Sequence, residues 1–216
     1  MKRFCSLVIF ALISCTPMET LHDADLVFLV NEDSELASSS MEDAISLATG
    51  GSGLNVTHVG ILEVCGDSTF VIDATPRYGV SRRPLEEFKA ECSDVDPVER
   101  VMVFRVRSMK GLAGRARASK VISCAKSCIG KAYDFRYMPG DEEFYCSELV
   151  QYAFVNRRGE PVFESVPMNF KGPDGSYPEF WVKLFDELGM PIPQGVDGTN
   201  PHDMMMSDCL EFVCEL

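Results

Sequence analysis

The sequence predicts an α+β fold in which an antiparallel sheet packs against helices. Two observations carry this. The first is a β-branched, apolar run over residues 57–64, the turn Cys65-Gly66-Asp67-Ser68, and a second such run over 69–74, which together read as a β-hairpin. The second is the helical spacing of Leu149, Val150, Ala153 and Phe154 after Cys146. Without residues 1–14 the chain keeps about 200, enough for one well-packed core and too few for two ordinary domains.

From the N-terminus, Lys2 and Arg3 precede an apolar run, residues 4–13, that is too short to span a bilayer as a helix and closes on Leu12-Ile13-Ser14-Cys15. The pattern resembles a bacterial lipoprotein signal. That resemblance implies cleavage before Cys15, lipidation of its thiol, and a mature protein anchored to a membrane of the cell envelope, facing the periplasm and soluble beyond its anchor. An ordinary secretory signal cut elsewhere is the alternative. Residues 1–14 are therefore assigned to the signal peptide, 15–24 to a polar tether and 25–216 to the domain, whose first strand is expected over 25–30.

Ser39-Ser40-Met41-Glu42 resembles a capping box opening a short helix that ends near Gly50, before the loop Gly50-Gly51-Ser52-Gly53. After the hairpin a helix starts at Pro84-Leu85, a strand is expected over 101–106 and a longer helix over 112–129. Gly140 and the acidic run Asp141-Glu142-Glu143 form the loop before the helix of Cys146. Beyond Phe154 the chain is rich in proline and turns. One amphipathic helix there, marked by Phe180, Trp181, Leu184 and Phe185, either covers the core or lines one wall of a cleft. No later segment is apolar and long enough for a transmembrane helix, and there is no internal repeat.

Cys146 stands at the predicted start of its helix. Unpaired N–H groups and the positive end of the helix dipole favour a thiolate there, and the thiolate is the nucleophilic form. The alternative is a small buried hydrophobe, so the choice needs a base. Of three histidines, His22 and His202 lie in polar or turn-rich segments and are expected at the surface. His58, inside Thr57-His58-Val59-Gly60-Ile61-Leu62, is the candidate base, or else a hydrogen-bonded histidine of the sheet. With Cys65 opposite Ser68, Asp73 falls opposite Gly60, and alternation puts His58, Gly60 and Asp73 on one face. Glu63, nearer in sequence, points to the other face and is expected to be solvated. Asp73 is the candidate to orient the imidazole, or else a cap for the loop that follows; a register slip of one residue would reverse the choice.

The order THVGI, VIDAT with GVSRRPLEEF, GKAYDF and FYCSELV resembles the permuted papain-like amidases of the YiiX/YaeF type, relatives of the NlpC cell-wall peptidases, over residues 25–154. The resemblance implies a circularly permuted papain-like (NlpC-type) fold, with the histidine strand ahead of the cysteine helix. It also implies a Cys-His-acid hydrolase of amide bonds, with Cys146 the nucleophile and His58 the base. Relatives more often carry Glu where Asp73 stands. In such chemistry the oxyanion is met by the backbone N–H of Cys146 and its neighbours, and Tyr145 or Tyr133 are candidates to add a hydroxyl, or else half-buried aromatics with wet tips. Asp134 either helps form a substrate pocket or caps its turn, and Glu148, in the first turn of the helix, complements the dipole. The implied substrates are small peptides, those of peptidoglycan among them, or lipid amides and esters, since relatives of this architecture include lipid acyltransferases. A lipid-anchored binding protein with a vestigial site is a third reading, against which the intact Cys146 and His58 count.

The formal charge of −13 becomes −15 once Lys2 and Arg3 leave with the signal, which argues against nucleic acid and against docking on anionic head groups. Export would permit disulfides among Cys65, Cys92, Cys124, Cys128, Cys209 and Cys214, in pairings the spacing does not assign. Cys124 and Cys128 have no nearby histidine and no second pair, so neither metal nor cofactor is expected.

Overall fold

The computed structural model describes residues 20–31, 39–49, 54–95 and 99–216. The signal peptide, Cys15, the first part of the tether and the glycine loop 50–53 lie outside the described residues.

In chain order the elements are β1 (Leu26–Asn31), α1 (Met41–Thr49), β2 (Asn55–Cys65), β3 (Ser68–Thr75), β4 (Gly79–Pro84), α2 (Leu85–Val95), β5 (Glu99–Val106) and α3 (Gly111–Ser127). They continue with β6 (Ala132–Tyr133), β7 (Glu143–Phe144), α4 (Cys146–Ala153), β8 (Val166–Pro167), α5 (Glu179–Glu187), β9 (Asp197–Gly198), α6 (Pro201–Met205) and β10 (Leu210–Glu215). Six strands form one antiparallel sheet in the order β10-β5-β1-β2-β3-β4. The chain returns from β5 through helices and loops before β10 closes that edge.

β1 is buried on both faces. Leu26, Phe28 and Val30 join the larger core under α1, α3, α4 and α5, while Val27 and Leu29 join Leu62, Val71, Leu85 and Phe88 on the other side under α2. This is why its sequence is continuously apolar rather than alternating. The hairpin of β2 and β3 has the expected register, from Cys65 opposite Ser68 to Ile61 opposite Ile72. A bulge in β2 breaks its pairing with β1 between Leu29 and Val30, just beside His58. The α1 cap is one residue later than expected: Ser40 Oγ accepts from the Asp43 N–H at 3.1 Å.

Three expectations need correction. Residues 20–24 are docked on the sheet rather than forming tether: Ala24 N–H donates to Leu62 O, Asp23 Oδ1 accepts from Val64 N–H, and Arg105 donates to the Thr20 carbonyl. Two strands of the six-stranded sheet were not foreseen, β4 and β10, because each carries charged residues that pair at the sheet rims instead of a continuous apolar run. Glu63 is buried rather than solvated. It lies on the face of Ile61 and Ile72, as parity requires, but Arg82 and Lys126 clamp it there, and against the effect of burial they hold its carboxyl below the usual range.

Candidate active site

Cys146 is the first residue of α4, behind Tyr145, whose extended backbone begins the helix without a side-chain cap. The N–H groups of that first turn are therefore available to a bound anion. α4 packs on β2 and β3 through Leu149, Val150 and Ala153, which fixes its N-terminus against the histidine strand. The pair β6 and β7 aligns Tyr133 with Phe144, and the Asp134 N–H donates to the Phe144 carbonyl at 3.2 Å, which braces the segment entering the helix.

His58 brings the other half. Its Nε2 is 2.9 Å from Asp73 Oδ2, which leaves Nδ1 as the nitrogen for the Cys146 sulfur, near enough for its charge to act on the ring. The structure thus brings Cys146, His58 and Asp73 together. Burial pushes the imidazole pKa down, but hydrogen bonds to Asp73 and Cys146 and the charges of both outweigh it and raise it to about 10. At neutral pH the ring carries its proton and can donate it.

Gly60 is what lets Asp73 approach. A Cβ there would lie 2.5 Å from Val71 Cγ1 and 3.4 Å from Asp73 Cβ, so no larger residue fits between the carboxylate and β1. Asp73 is fully buried, and Arg83 Nη2 donates to the same Oδ2 at 2.9 Å. Arg83 belongs to the unforeseen β4; the alternation of Val80, Ser81 and Arg83 against β3 was the available signal.

A partly open cleft runs beside the thiol, lined by Ile45, Tyr137, Met168, Phe170 and Trp181 together with Tyr133, Tyr145, Ser147, Asn169 and Asn200. Among the described residues, no charged side chain lines it. Its cavity volume is about 50 Å³, room for a small group. Trp181 is clamped edge-on by Phe170 and Tyr137 at 5.1 and 5.3 Å, so α5 does form one wall. Tyr137, not singled out in the sequence, holds a left-handed backbone (φ 53°) that turns its ring into this cluster.

The other named side chains are engaged elsewhere. Tyr145 accepts from the Thr199 N–H at 3.1 Å, and burial raises its phenol to about 12. A side chain at position 198 would strike Met168 and that hydroxyl, so Gly198 lets β9 pass over Tyr145. Tyr133 pairs with Tyr137 through their hydroxyls at 3.2 Å. Asp134 caps its turn, accepting from Arg136 and Met138 N–H at 2.8 and 2.9 Å, and is absent from the cleft lining. Glu148 is buried, not solvated at the helix start; burial and the nearby Asp134 raise its carboxyl to about 8, against backbone N–H groups of Gly140 and Tyr145. His202 is also buried, against expectation, because Asn200 caps α6 with Pro201 at its first position and folds the ring inward. Burial pushes the Cys124 and Cys128 thiols up, which makes them poor nucleophiles. Cys65, Cys124, Cys128, Cys146 and Cys209 carry free thiols, and the Cys92 side chain lies outside the described ones.

A family model described as permuted papain-like amidase enzyme, YaeF/YiiX, C92 family, matches residues 21–214. The chain is 30% identical over 159 residues to the uncharacterized protein YiiX of Escherichia coli strain K12, across 74% of this chain and 72% of that protein. The crystal structure of metalloprotein yiiX from Escherichia coli O157:H7 is similar with a TM-score of 0.68 and 25% identity, covering 90% of this chain and 97% of that one.

Proposed function

The chain belongs to the permuted papain-like amidase family of the YaeF/YiiX type, and on that footing we propose that it is a thiol amidase for amides whose acyl group is apolar next to the scissile carbonyl. The observation that carries the substrate reading is the cleft beside Cys146, aromatic and aliphatic on most sides and, among the described residues, lined by no charged side chain. Stem peptides of peptidoglycan present charged groups that such a slot would desolvate without compensation. The first few carbons of an acyl chain, or an apolar side chain, match both its chemistry and its room.

In this mechanism the Cys146 sulfur attacks the carbonyl carbon while its proton resides on His58. The oxyanion is met by backbone N–H groups of the first turn of α4. His58 then protonates the leaving amine, the C–N bond breaks, and a thioester remains on Cys146. Water, losing a proton to the now neutral imidazole, hydrolyses it. Asp73 holds Nε2 throughout, so the ring keeps one orientation. The solved relative is described as a metalloprotein. Among the described residues, however, no three or more His, Cys, Asp or Glu side chains converge to hold an ion. Those residues do not meet the donor set for a metal, and each step above uses the chain's own groups.

The N-terminal segment supports an envelope location with Cys15 as lipid anchor; Cys15→Ser should move the protein from the membrane fraction to the soluble one. The decisive test of activity sets N-acyl amides of increasing chain length against purified muropeptides, with Cys146→Ala as control. Turnover of the acyl amides, abolished in Cys146→Ala, is expected. Turnover of muropeptides alone would overturn the substrate class, and turnover surviving in Cys146→Ala would overturn the mechanism.

A further inference from the structure

Asp73 has a second partner that a three-residue site does not use. Its Oδ2 accepts from both His58 Nε2 and Arg83 Nη2, each at 2.9 Å, and Ser81 Oγ lies 3.5 Å from Oδ1. In β4, Ser81 stands opposite Asp73 and Arg83 opposite Val71, so the pleat delivers the guanidinium to the carboxylate's face. Arg83 is itself buried, 5.8 Å from the Phe88 ring and 5.1 Å from that of Tyr78. Phe88 is also 6.0 Å from the His58 ring, so one aromatic side chain braces both cations that hold Asp73.

Charge makes this arrangement consequential. When Cys146 passes its proton to His58, the buried line reads thiolate, imidazolium, carboxylate, guanidinium, alternating in sign and summing to zero. The sum is the same before and after the proton moves, so in both states the guanidinium offsets the buried carboxylate, which would otherwise leave a net negative charge away from water.

We propose that Arg83 is a fourth member of the site, a positioning residue that acts through Asp73 by selecting and holding the oxygen that faces the imidazole. The proposal rests on Cys146 and His58 being nucleophile and base. Direct electrostatics would act with the opposite sign, since removing a cation near His58 favours the imidazolium. The two effects are therefore separable.

The test is the rate of Cys146 alkylation by iodoacetamide against pH in the full-length protein, with folding checked by circular dichroism. Arg83→Gln should slow alkylation at pH 7 by about tenfold or more, the scale of a lost charge-assisted hydrogen bond, and move the rise of the profile to higher pH. Arg83→Lys, which keeps the charge and folds more readily, should recover part of the rate. In an Asp73→Asn background, Arg83→Met should change the profile less than about twofold, because its route through Asp73 is already cut. Arg82→Gln, which touches Glu63 instead, should leave the profile unchanged. Faster alkylation in Arg83→Gln, an unmoved profile, or effects of Asp73 and Arg83 that multiply would overturn the proposal. A wild-type thiol indifferent to His58→Ala would instead overturn the Cys-His reading beneath it.

Discussion

Asp73→Asn tests the site most directly, because it changes one charge and almost no volume. The carboxylate is fully buried between Arg83 and His58. Removing one partner of a buried pair leaves the other uncompensated, at about 3–5 kcal/mol. The amide oxygen of Asn still accepts one hydrogen bond, which points to the lower end, about 3 kcal/mol. With a urea slope of about 2–3 kcal/mol/M, the unfolding midpoint should fall by about 1–1.5 M. The effect should also depend on pH. His58 has its pKa raised to about 10 from an ordinary 6.5, against burial and chiefly by Asp73. A raised histidine contributes stability that is fully present below about 6.5 and is lost as pH rises through about 10. The destabilisation by Asp73→Asn should therefore be larger at pH 6 than at pH 10. The same loss should move the alkaline limb of kcat/KM down from near 10 by at least about one unit, since the ring must be protonated to release the amine. The assays are urea melts and hydrolysis rates from pH 5 to 11, with Glu63→Gln as comparison. Glu63→Gln should keep activity and lose about 2 kcal/mol from its two ion pairs. An unmoved alkaline limb in Asp73→Asn, together with inactive Glu63→Gln, would refute the reasoning.

Trp181→Ala removes a fully buried indole from the cleft wall; it should lower unfolding stability by about 3–5 kcal/mol and shift acyl preference toward bulkier groups, read from urea melts and a chain-length series. Gly60→Ala forces a Cβ to within 2.5 Å of Val71 Cγ1. It should lose about 1–3 kcal/mol and much of the activity, with stability partly restored by adding Val71→Ala. Glu148→Gln removes a carboxyl that burial raises to about 8. Because the folded protein holds that proton longer than the unfolded chain, wild-type stability falls as pH rises from about 4.5 to about 8. The variant lacks that loss, so its urea midpoint should gain on wild type across the same window.

The arrangement of the candidate site was legible in the sequence wherever one local rule sufficed. The choice of Asp73 over Glu63 followed from the turn at Cys65–Ser68 and the two-residue period of a strand, and the register that implies it is the one observed. The position of Cys146 at a helix start followed from the apolar spacing after it and from Gly140 and the acidic run 141–143 before it. What parity does not reveal is burial. Glu63 points where alternation puts it, yet it is covered because Lys126, from a helix far along the chain, and Arg82, from β4, reach it there. His202 looked exposed for the same reason: a turn-rich segment reads as surface until its cap folds it onto the core.

The cleft shows the limit more sharply. Its aromatic walls come from Tyr137, Tyr145, Phe170 and Trp181, and each looks like an ordinary core residue within its own segment. Only their convergence makes a slot, and convergence depends on long-range packing, such as the Trp181 indole N–H donating to the Ala44 carbonyl at 3.4 Å. Reaction chemistry needs a few groups at short-range spacing, and so leaves a trace that sequence can carry. Substrate preference needs the shape of a surface assembled from distant segments. Arg83 stands between the two cases: it serves the chemistry, but only the pairing of β4 with β3 brings it to Asp73. A reading confined to residues of familiar catalytic type therefore stops at three members, and the fourth emerges only when the partners of a buried carboxylate are counted.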